Sequence, residues 1–255
     1  MSKRLDGKTI LVIGGTSGIG KALTLGFVTE GAQVIPTSRT EQKVSATIAQ
    51  LAEQGNSWKE PITTDITSQD QIQTICDRIV AVYGRIDVLA CVAGTHLKKA
   101  AEHISLEDWQ AVMDTNLTGT FLANRIAGTI MLKQGSGSII NIGSLGSSVA
   151  LSQTVPYCVS KAGVSMLTQC LSSEWCGRGV RVNTLIPGVF PTELNKKALS
   201  DPERVQNILK RTPMGRMGSV DELVGAAVFL ASDEASFVSG IALPVDGGFL
   251  AHSGF

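Results

Sequence analysis

Short apolar runs alternate along the chain with longer stretches whose apolar residues recur at three- and four-residue intervals. Thr9–Ile13 reads as a strand that ends in glycines. Residues 21–30 read as a helix closed by Gly31, and Gln33–Thr37 as a second strand. A helix over 41–54, closed by Gly55, precedes a third strand near 58–63. Ile72, Ile75, Cys76, Ile79 and Tyr83 keep helical spacing ahead of Gly84, and 87–92 reads as a fourth strand. Ser105 and Asp108 form a capping-box pattern that opens a long helix towards Leu132. Strands at 138–142, 181–185 and 241–245 alternate with helices at 157–176 and 220–231. This alternation predicts an α/β fold: a Rossmann-like, doubly wound parallel sheet of about seven strands with helices on both faces, in one domain spanning 1–255. Pro36 falls in a strand that should be internal, so regular pairing is expected to stop at Ile35.

The 255 residues are 43% hydrophobic and 17% charged, which is too apolar for a disordered chain and long enough for a sizeable core. Twenty-two basic residues balance twenty-two acidic ones. That balance argues against nucleic acid and against an anionic membrane surface as partners. No run approaches the ~20 apolar residues of a membrane span, and the charged start, with Lys3, Arg4, Asp6 and Lys8, does not lead into a signal-peptide core. Cys76, Cys91, Cys158, Cys170 and Cys176 are odd in number and contain no Cys-x-x-Cys. They suggest a reducing, cytoplasmic setting rather than disulfides or zinc. His96, His103 and His252 are isolated, so no metal site is expected.

The first strand runs into Gly14-Gly15-Thr16-Ser17-Gly18-Ile19-Gly20 and then a helix. Backbone N–H groups at that helix N-terminus suit a pyrophosphate, and side chains at the glycines would block its approach. An NAD-selective site places an acid at the end of the second strand. Here the sequence is Thr37-Ser38-Arg39, with no acid before Glu41. Arg39 can bind a 2′-phosphate through two N–H bonds, assisted by Ser38, so NADP(H) is favoured over NAD(H).

Tyr157 and Lys161 share one helix face one turn apart. A nearby ammonium favours phenolate, which would bring a tyrosine into range for general acid–base work. Ser144 stands thirteen residues earlier, just past the fifth strand, at the sheet edge where such folds bind ligands. Its hydroxyl could hold a substrate oxygen against the phenol. Asn116 interrupts an amphipathic helix near Gly119, where a polar side chain competes with helix bonds and suggests a local break.

Together these residues resemble the short-chain dehydrogenase/reductase family along the whole chain. The turn Gly14–Gly20 is similar to the family's cofactor turn, and Asp65-Ile66 to its adenine-contacting pair. Ala93-Gly94 is similar to the end of its Asn-Asn-Ala-Gly motif, with Cys91-Val92 replacing the two asparagines and Ile13 standing where threonine is usual. Asn116, Ser144, Tyr157 and Lys161 match its catalytic tetrad in order and spacing. Pro187-Gly188-Val189 with Thr192 matches the segment that grips the nicotinamide amide, and Asp246-Gly247-Gly248 its C-terminal signature. The resemblance implies hydride exchange between a nicotinamide cofactor and a secondary alcohol or ketone. Ser144 and Tyr157 would hold the substrate oxygen, Lys161 would lower the tyrosine pKa and bind the ribose, and Asn116 would link Lys161 to solvent through a water.

The segment 189–217, rich in Lys, Arg and Pro, would be the substrate lid. It carries Lys196, Lys197, Lys210 and Arg211, while His96, Lys98 and Lys99 follow the fourth strand at the same edge. Such cations could meet a carboxylate or the hydroxyls of a small-molecule sugar acid, and His96 is expected among the substrate residues. The chain is similar to gluconate and sugar dehydrogenases and also to 3-oxoacyl-carrier-protein reductases, with sugar or sugar-acid chemistry placed first, the acyl reductase second and a non-catalytic cofactor-sensing protein last, since the whole tetrad is present. The family further implies a homotetramer, with the helices near Ser105 and Tyr157 packing on their copies. The apolar end, Phe249-Leu250-Ala251 and Phe255, suits a buried terminus.

Overall fold

The computed structural model describes residues 3–193, 195–196 and 198–252. Among them, the strands β1 (Thr9–Ile13), β2 (Gln33–Thr37), β3 (Val88–Cys91), β4 (Gly137–Ile142), β5 (Val180–Pro187) and β6 (Ala242–Val245) form one parallel sheet. Their spatial order is β2-β1-β3-β4-β5-β6. From β1 the chain winds outward to β2, then crosses back to place β3 on the other side of β1, with Ile10 beside Val88 and Ile13 beside Cys91. Winding reverses between β1 and β3, and the crevice beyond their carboxyl ends is where such sheets bind ligands.

The strands are nearly uniform in apolar character because helices cover both faces. Along β1, Leu11 and Ile13 turn to a core shared with α3 (Gln69–Tyr83), α5 (Gly119–Gln134) and α6 (Val155–Trp175). Ile10 and Val12 turn the other way, to a core built with α1 (Gly18–Thr29) and α8 (Val224–Ala231). A two-residue period therefore divides one apolar run between two cores. The helix α2 (Glu41–Ala52) follows β2.

The strand expected near 58–63 is absent, so the sheet has six strands rather than about seven. Its place on the free edge of β2 is taken mostly by side-chain bonds. Asn56 accepts from Val34 N–H (2.8 Å) and donates to Val34 C=O (2.9 Å), as a neighbouring strand would. Thr37 Oγ1 donates to Ile62 C=O (2.8 Å), and Thr64 N–H to Ser38 C=O (3.0 Å). The second strand is thus an edge strand, not an internal one, and pairing does not stop at Ile35: Pro36 lies beside Val12 and Thr37 beside Ile13. Val34 turns both backbone groups away from β1, and Pro36, two residues on, faces the same way. The N–H that proline lacks would have pointed away from β1.

The long helix opened by Ser105 is also broken. The capping box forms, and α4 (Leu106–Met113) follows it. A π-helical turn over Asp114–Thr118 then precedes α5. That turn carries Asn116.

Candidate active site

The site begins where β1 becomes α1. Gly14 adopts φ +89°, and a Cβ there would stand 2.6 Å from the Ala93 nitrogen, so the glycine turn lies against the end of β3. A Cβ at Gly20 would strike the carbonyl of Gly14. Ser17 is the N-cap of α1 but makes no side-chain cap bond. Ser17, Gly18, Ile19 and Gly20 all line one cleft of about 1080 Å³. Thr16 lies beneath it, its hydroxyl donating to Ser38 Oγ (2.9 Å) and tying the turn to the end of β2. Ser38 and Arg39 line the same cleft. Arg39 is exposed and has no ion-pair partner among the described residues. Asp65 and Ile66 line the adjoining wall. Hydrogen bonding from Thr67 N–H (2.9 Å) and Oγ1 (2.8 Å) holds the Asp65 carboxyl below its ordinary range, and Arg39 adds to the effect. Bare glycines, a helix N-terminus without a side-chain cap and an unpaired guanidinium fit a phosphorylated dinucleotide.

The chemical groups stand at the carboxyl edge of β4. Ser144 is buried, and its Oγ accepts from Gly146 N–H (3.1 Å). Ser144 N–H donates to Ser147 Oγ (3.2 Å), which donates to the Lys161 carbonyl (2.8 Å), fastening this loop to α6. The Ser144 hydroxyl is close enough to the Tyr157 phenol to lower its pKa. Lys161 is 5% exposed, and its Nζ donates to Ile142 C=O (2.7 Å). Asn116 is fully buried and does not line the cleft. Its Oδ1 accepts from Thr95 N–H (2.7 Å), and its Nδ2 donates to Thr95 C=O (2.9 Å) and Ser160 Oγ (3.1 Å). The π turn therefore presents a side-chain amide that clamps the loop after β3 against α6. Ala93 and Gly94 line the cleft at the start of that loop, and a Cβ at Gly94 would lie 3.6 Å from Lys161 Nζ. Cys91 is a buried core residue, with burial pushing its thiol up to about 11.

The electrostatics differ from the expectation that Lys161 acidifies Tyr157. Burial raises the tyrosine above its ordinary value, and the Ser144 hydroxyl offsets only part of this. The same burial pushes Lys161 down from 10.5 to about 8, with no carboxylate nearby to hold its charge. Desolvation is the largest effect on both groups. Below about 8 the ammonium is charged in both folded and unfolded chains, and folding bears its full desolvation. Between about 8 and 10.5 the folded chain has released a proton that the unfolded chain keeps, so this group makes stability rise with pH. Lys161→Met is accordingly expected to be more stable than wild type at pH 7, by up to about 3 kcal/mol. Urea denaturation at pH 7 and pH 10 should show that gap shrinking at the higher pH. A constant gap would mean that the ammonium is not desolvated.

On the substrate side, His96 packs edge-on against the Tyr157 ring, with centroids 4.8 Å apart at 60°. Pro187 and Gly188 line the cleft at the end of β5. Val189 does not; its carbonyl accepts from Gly218 N–H (3.0 Å), closing the segment 189–217 at its two ends. Thr192 reaches the glycine turn, its Cγ2 3.4 Å from where a Cβ on Gly18 would lie. Asn195, which sequence reasoning missed, holds that loop: its Oδ1 accepts from Thr192 N–H (2.8 Å) and its Nδ2 donates to Phe190 C=O (2.8 Å). The segment 189–217 also contains α7 (Pro202–Arg211), capped by Asp201. Several expected cations are engaged elsewhere. Lys196 pairs with Glu193, Lys99 with Asp108, and Arg211 lies over the Phe249 ring. Lys197 and Phe255 fall outside the described residues.

A dinucleotide cradle at the switch point, beside a half-buried tyrosine and a buried serine and lysine, defines an oxidoreductase of the α/β class. Comparison with known proteins narrows this. A family model described as enoyl-(acyl carrier protein) reductase matches residues 14–250. The chain is 42% identical over 246 residues to the D-threitol dehydrogenase of Mycolicibacterium smegmatis, covering 96% of this chain and 94% of that one. It is 37% identical to the 3-oxoacyl-[acyl-carrier-protein] reductase of Thermotoga maritima, covering 97% and 99%. Its structure superposes on that of a gluconate 5-dehydrogenase from Burkholderia cenocepacia in complex with NADP and tartrate, with a TM-score of 0.94, 36% identity and 98% of each chain covered. The chain belongs to the short-chain dehydrogenase/reductase family, whose members named here act on alcohol or carbonyl groups.

Proposed function

We propose that this chain interconverts a secondary alcohol and a ketone with NADP(H), on a sugar or sugar acid, in the manner of a gluconate 5-dehydrogenase. The observation that carries the reading is the cluster of buried Ser144 and Lys161 with half-buried Tyr157, all lining the cleft that the glycine turn also lines. Gly14, Ser17, Gly18, Ile19 and Gly20, with Thr16 behind them, would hold the pyrophosphate. Ser38 and Arg39 would hold a 2′-phosphate, Asp65 and Ile66 the adenine, and Ala93 and Gly94 the sugar between. Pro187, Gly188 and Thr192, with Val189 fixing the loop, would hold the nicotinamide amide. Bound there, the nicotinamide supplies or takes up the hydride.

The protein's own groups handle the proton. The Ser144 hydroxyl positions the substrate oxygen beside Tyr157 Oη. Tyr157 accepts that oxygen's proton in oxidation and returns it in reduction. Lys161 places positive charge behind the phenol, and a cationic nicotinamide adds to it, against the burial that raises the tyrosine. Asn116 acts by holding Thr95 and the loop that carries His96. Threitol and gluconate, named for two of the relatives, both carry runs of hydroxylated carbons, which supports the sugar reading. Leu106, Phe121, Val155, Val159 and Met166, exposed on α4, α5 and α6, support the expected homotetramer.

A panel of neutral polyols, aldonates and 3-oxoacyl thioesters, followed through the absorbance of reduced nicotinamide with both cofactors, tests the proposal. Turnover of polyols or aldonates, faster with NADP(H), is the expected result. Turnover confined to carrier-linked substrates would replace the sugar reading with the acyl one.

A further inference from the structure

Beyond β5 the chain returns to the cleft through Phe190, Thr192 and Asn195, which all line it. Two contacts fix this stretch. The Phe190 ring is buried, and a Cβ at Gly218 would strike it, so the ring lies on bare backbone. Thr192 Cγ2 stands against Gly18 of the glycine turn. Asn195 ties the two residues together. Its Nδ2 donates to Phe190 C=O (2.8 Å), and its Oδ1 accepts from Thr192 N–H (2.8 Å). A backbone carbonyl can only accept and a backbone N–H can only donate, so these bonds settle which end of the Asn195 amide is the oxygen. The main chain repeats the link, with Asn195 N–H donating to Thr192 C=O (3.2 Å). A third side-chain bond has a chemical consequence. Thr192 Oγ1 lies 3.3 Å from Asn195 Oδ1, and because an amide oxygen carries no proton, the threonine is the donor. Its one proton is committed to Asn195, and the oxygen offers only lone pairs to whatever enters the cleft.

The carboxamide of a nicotinamide carries both a carbonyl, which accepts, and an NH2, which donates. A threonine whose proton is engaged has nothing to give the carbonyl and matches the NH2. We propose that Asn195 is a positioning residue for the cofactor: it holds Thr192 against the glycine turn and makes its hydroxyl an acceptor, so that the site reads the NH2 of the carboxamide and fixes which way that group faces. This rests on the nicotinamide reading of the cleft above and adds a residue that acts through Thr192. The carboxamide is attached to the ring carbon next to the one that carries the hydride, so fixing its orientation helps to fix the ring before Tyr157.

Calorimetric titration of the full-length protein tests this with NADP+ and its 3-acetylpyridine analogue, in which a methyl replaces the NH2 (or with the corresponding NAD+ pair, should wild type bind only that cofactor). Wild type is expected to bind NADP+ more tightly than the analogue by roughly 3- to 10-fold, the worth of one hydrogen bond. Asn195→Leu should bring that ratio close to one. Asn195→Asp keeps both acceptor contacts with Thr192 and should recover most of the ratio, although it cannot donate to Phe190. Thr192→Val keeps the methyl and loses the hydroxyl; it should match Asn195→Leu, and the double variant should lose no more than either. A wild-type ratio near one, an Asn195→Leu variant that weakens both ligands equally, or an Asn195→Asp variant no better than Asn195→Leu would overturn the proposal while leaving the cofactor reading in place. No binding of NADP+ or NAD+ by wild type would remove that reading and this inference together.

Discussion

Tyr157→Phe is expected to lower kcat by roughly 10²- to 10⁴-fold while leaving NADPH affinity within a few-fold of wild type. The substitution removes one oxygen and keeps the ring. The edge contact with His96 is made by that ring, so the substrate-side wall retains its packing. What disappears is the hydroxyl beside Ser144, the group proposed to exchange the substrate proton. Direct fluorescence titration of NADPH separates binding from turnover, and near-normal turnover in the variant would remove Tyr157 from the reaction. The direction of pH dependence follows from the same burial. With protein groups alone the phenol sits above its ordinary value, so the form able to accept a proton grows as pH rises. Alcohol oxidation by wild type should accelerate towards alkaline pH, and ketone reduction should slow. Both limbs should vanish in the phenylalanine variant.

The parts of this molecule that could be read from sequence are those determined by local periodicity. The run Thr9–Ile13 followed by glycines locates β1, the turn and the start of α1, because an apolar strand, a backbone-only loop and a helix each leave a compositional trace. Tyr157 and Lys161 fall together because four residues complete about one helical turn. Asn116 marked a break in a helix, and the π turn is found there, yet its partner Thr95 lies 21 residues away and leaves no local signal. The strand expected near 58–63 failed for a related reason. Trp58, Ile62 and Thr63 have strand-like character, but the edge they would pair with is filled by the Asn56 amide. Pro36 gives no local sign that its strand tolerates it, because sheet order, which places β2 at an edge, is a tertiary fact. Asn195 is an ordinary loop asparagine until its bonds to Thr192 and Phe190 are known. Spacing also carries no information about dielectric. The Tyr157–Lys161 pair was legible as a pair, but the direction of its pKa values depends on how deeply both groups are enclosed.

Arg39→Asp is expected to reverse cofactor choice. The side chain stands at the end of β2, in the cleft, exposed and without an ion-pair partner among the described residues, so its replacement disturbs no packing and breaks no bridge. With a 2′-phosphate present, the loss is of charge-assisted hydrogen bonds, each worth about 1.5–3 kcal/mol, with carboxylate–phosphate repulsion added. The kcat/KM for NADP+ should therefore fall by roughly 100-fold or more. NAD+ has no phosphate to lose, and an aspartate there can accept from both ribose hydroxyls, so its kcat/KM should hold or rise. Asp65 sets the limit on that gain. Its carboxyl is stabilised in part by the Arg39 charge, so the variant places two acids near each other where one was formerly balanced. Thr67, which donates to Asp65 through both N–H and hydroxyl, keeps that carboxylate ionised and in place, so the adenine wall should survive the change. Parallel kcat/KM measurements with the two cofactors decide the matter. A reversal of preference assigns Arg39 to the phosphate, whereas equal losses on both would show that it shapes the loop alone.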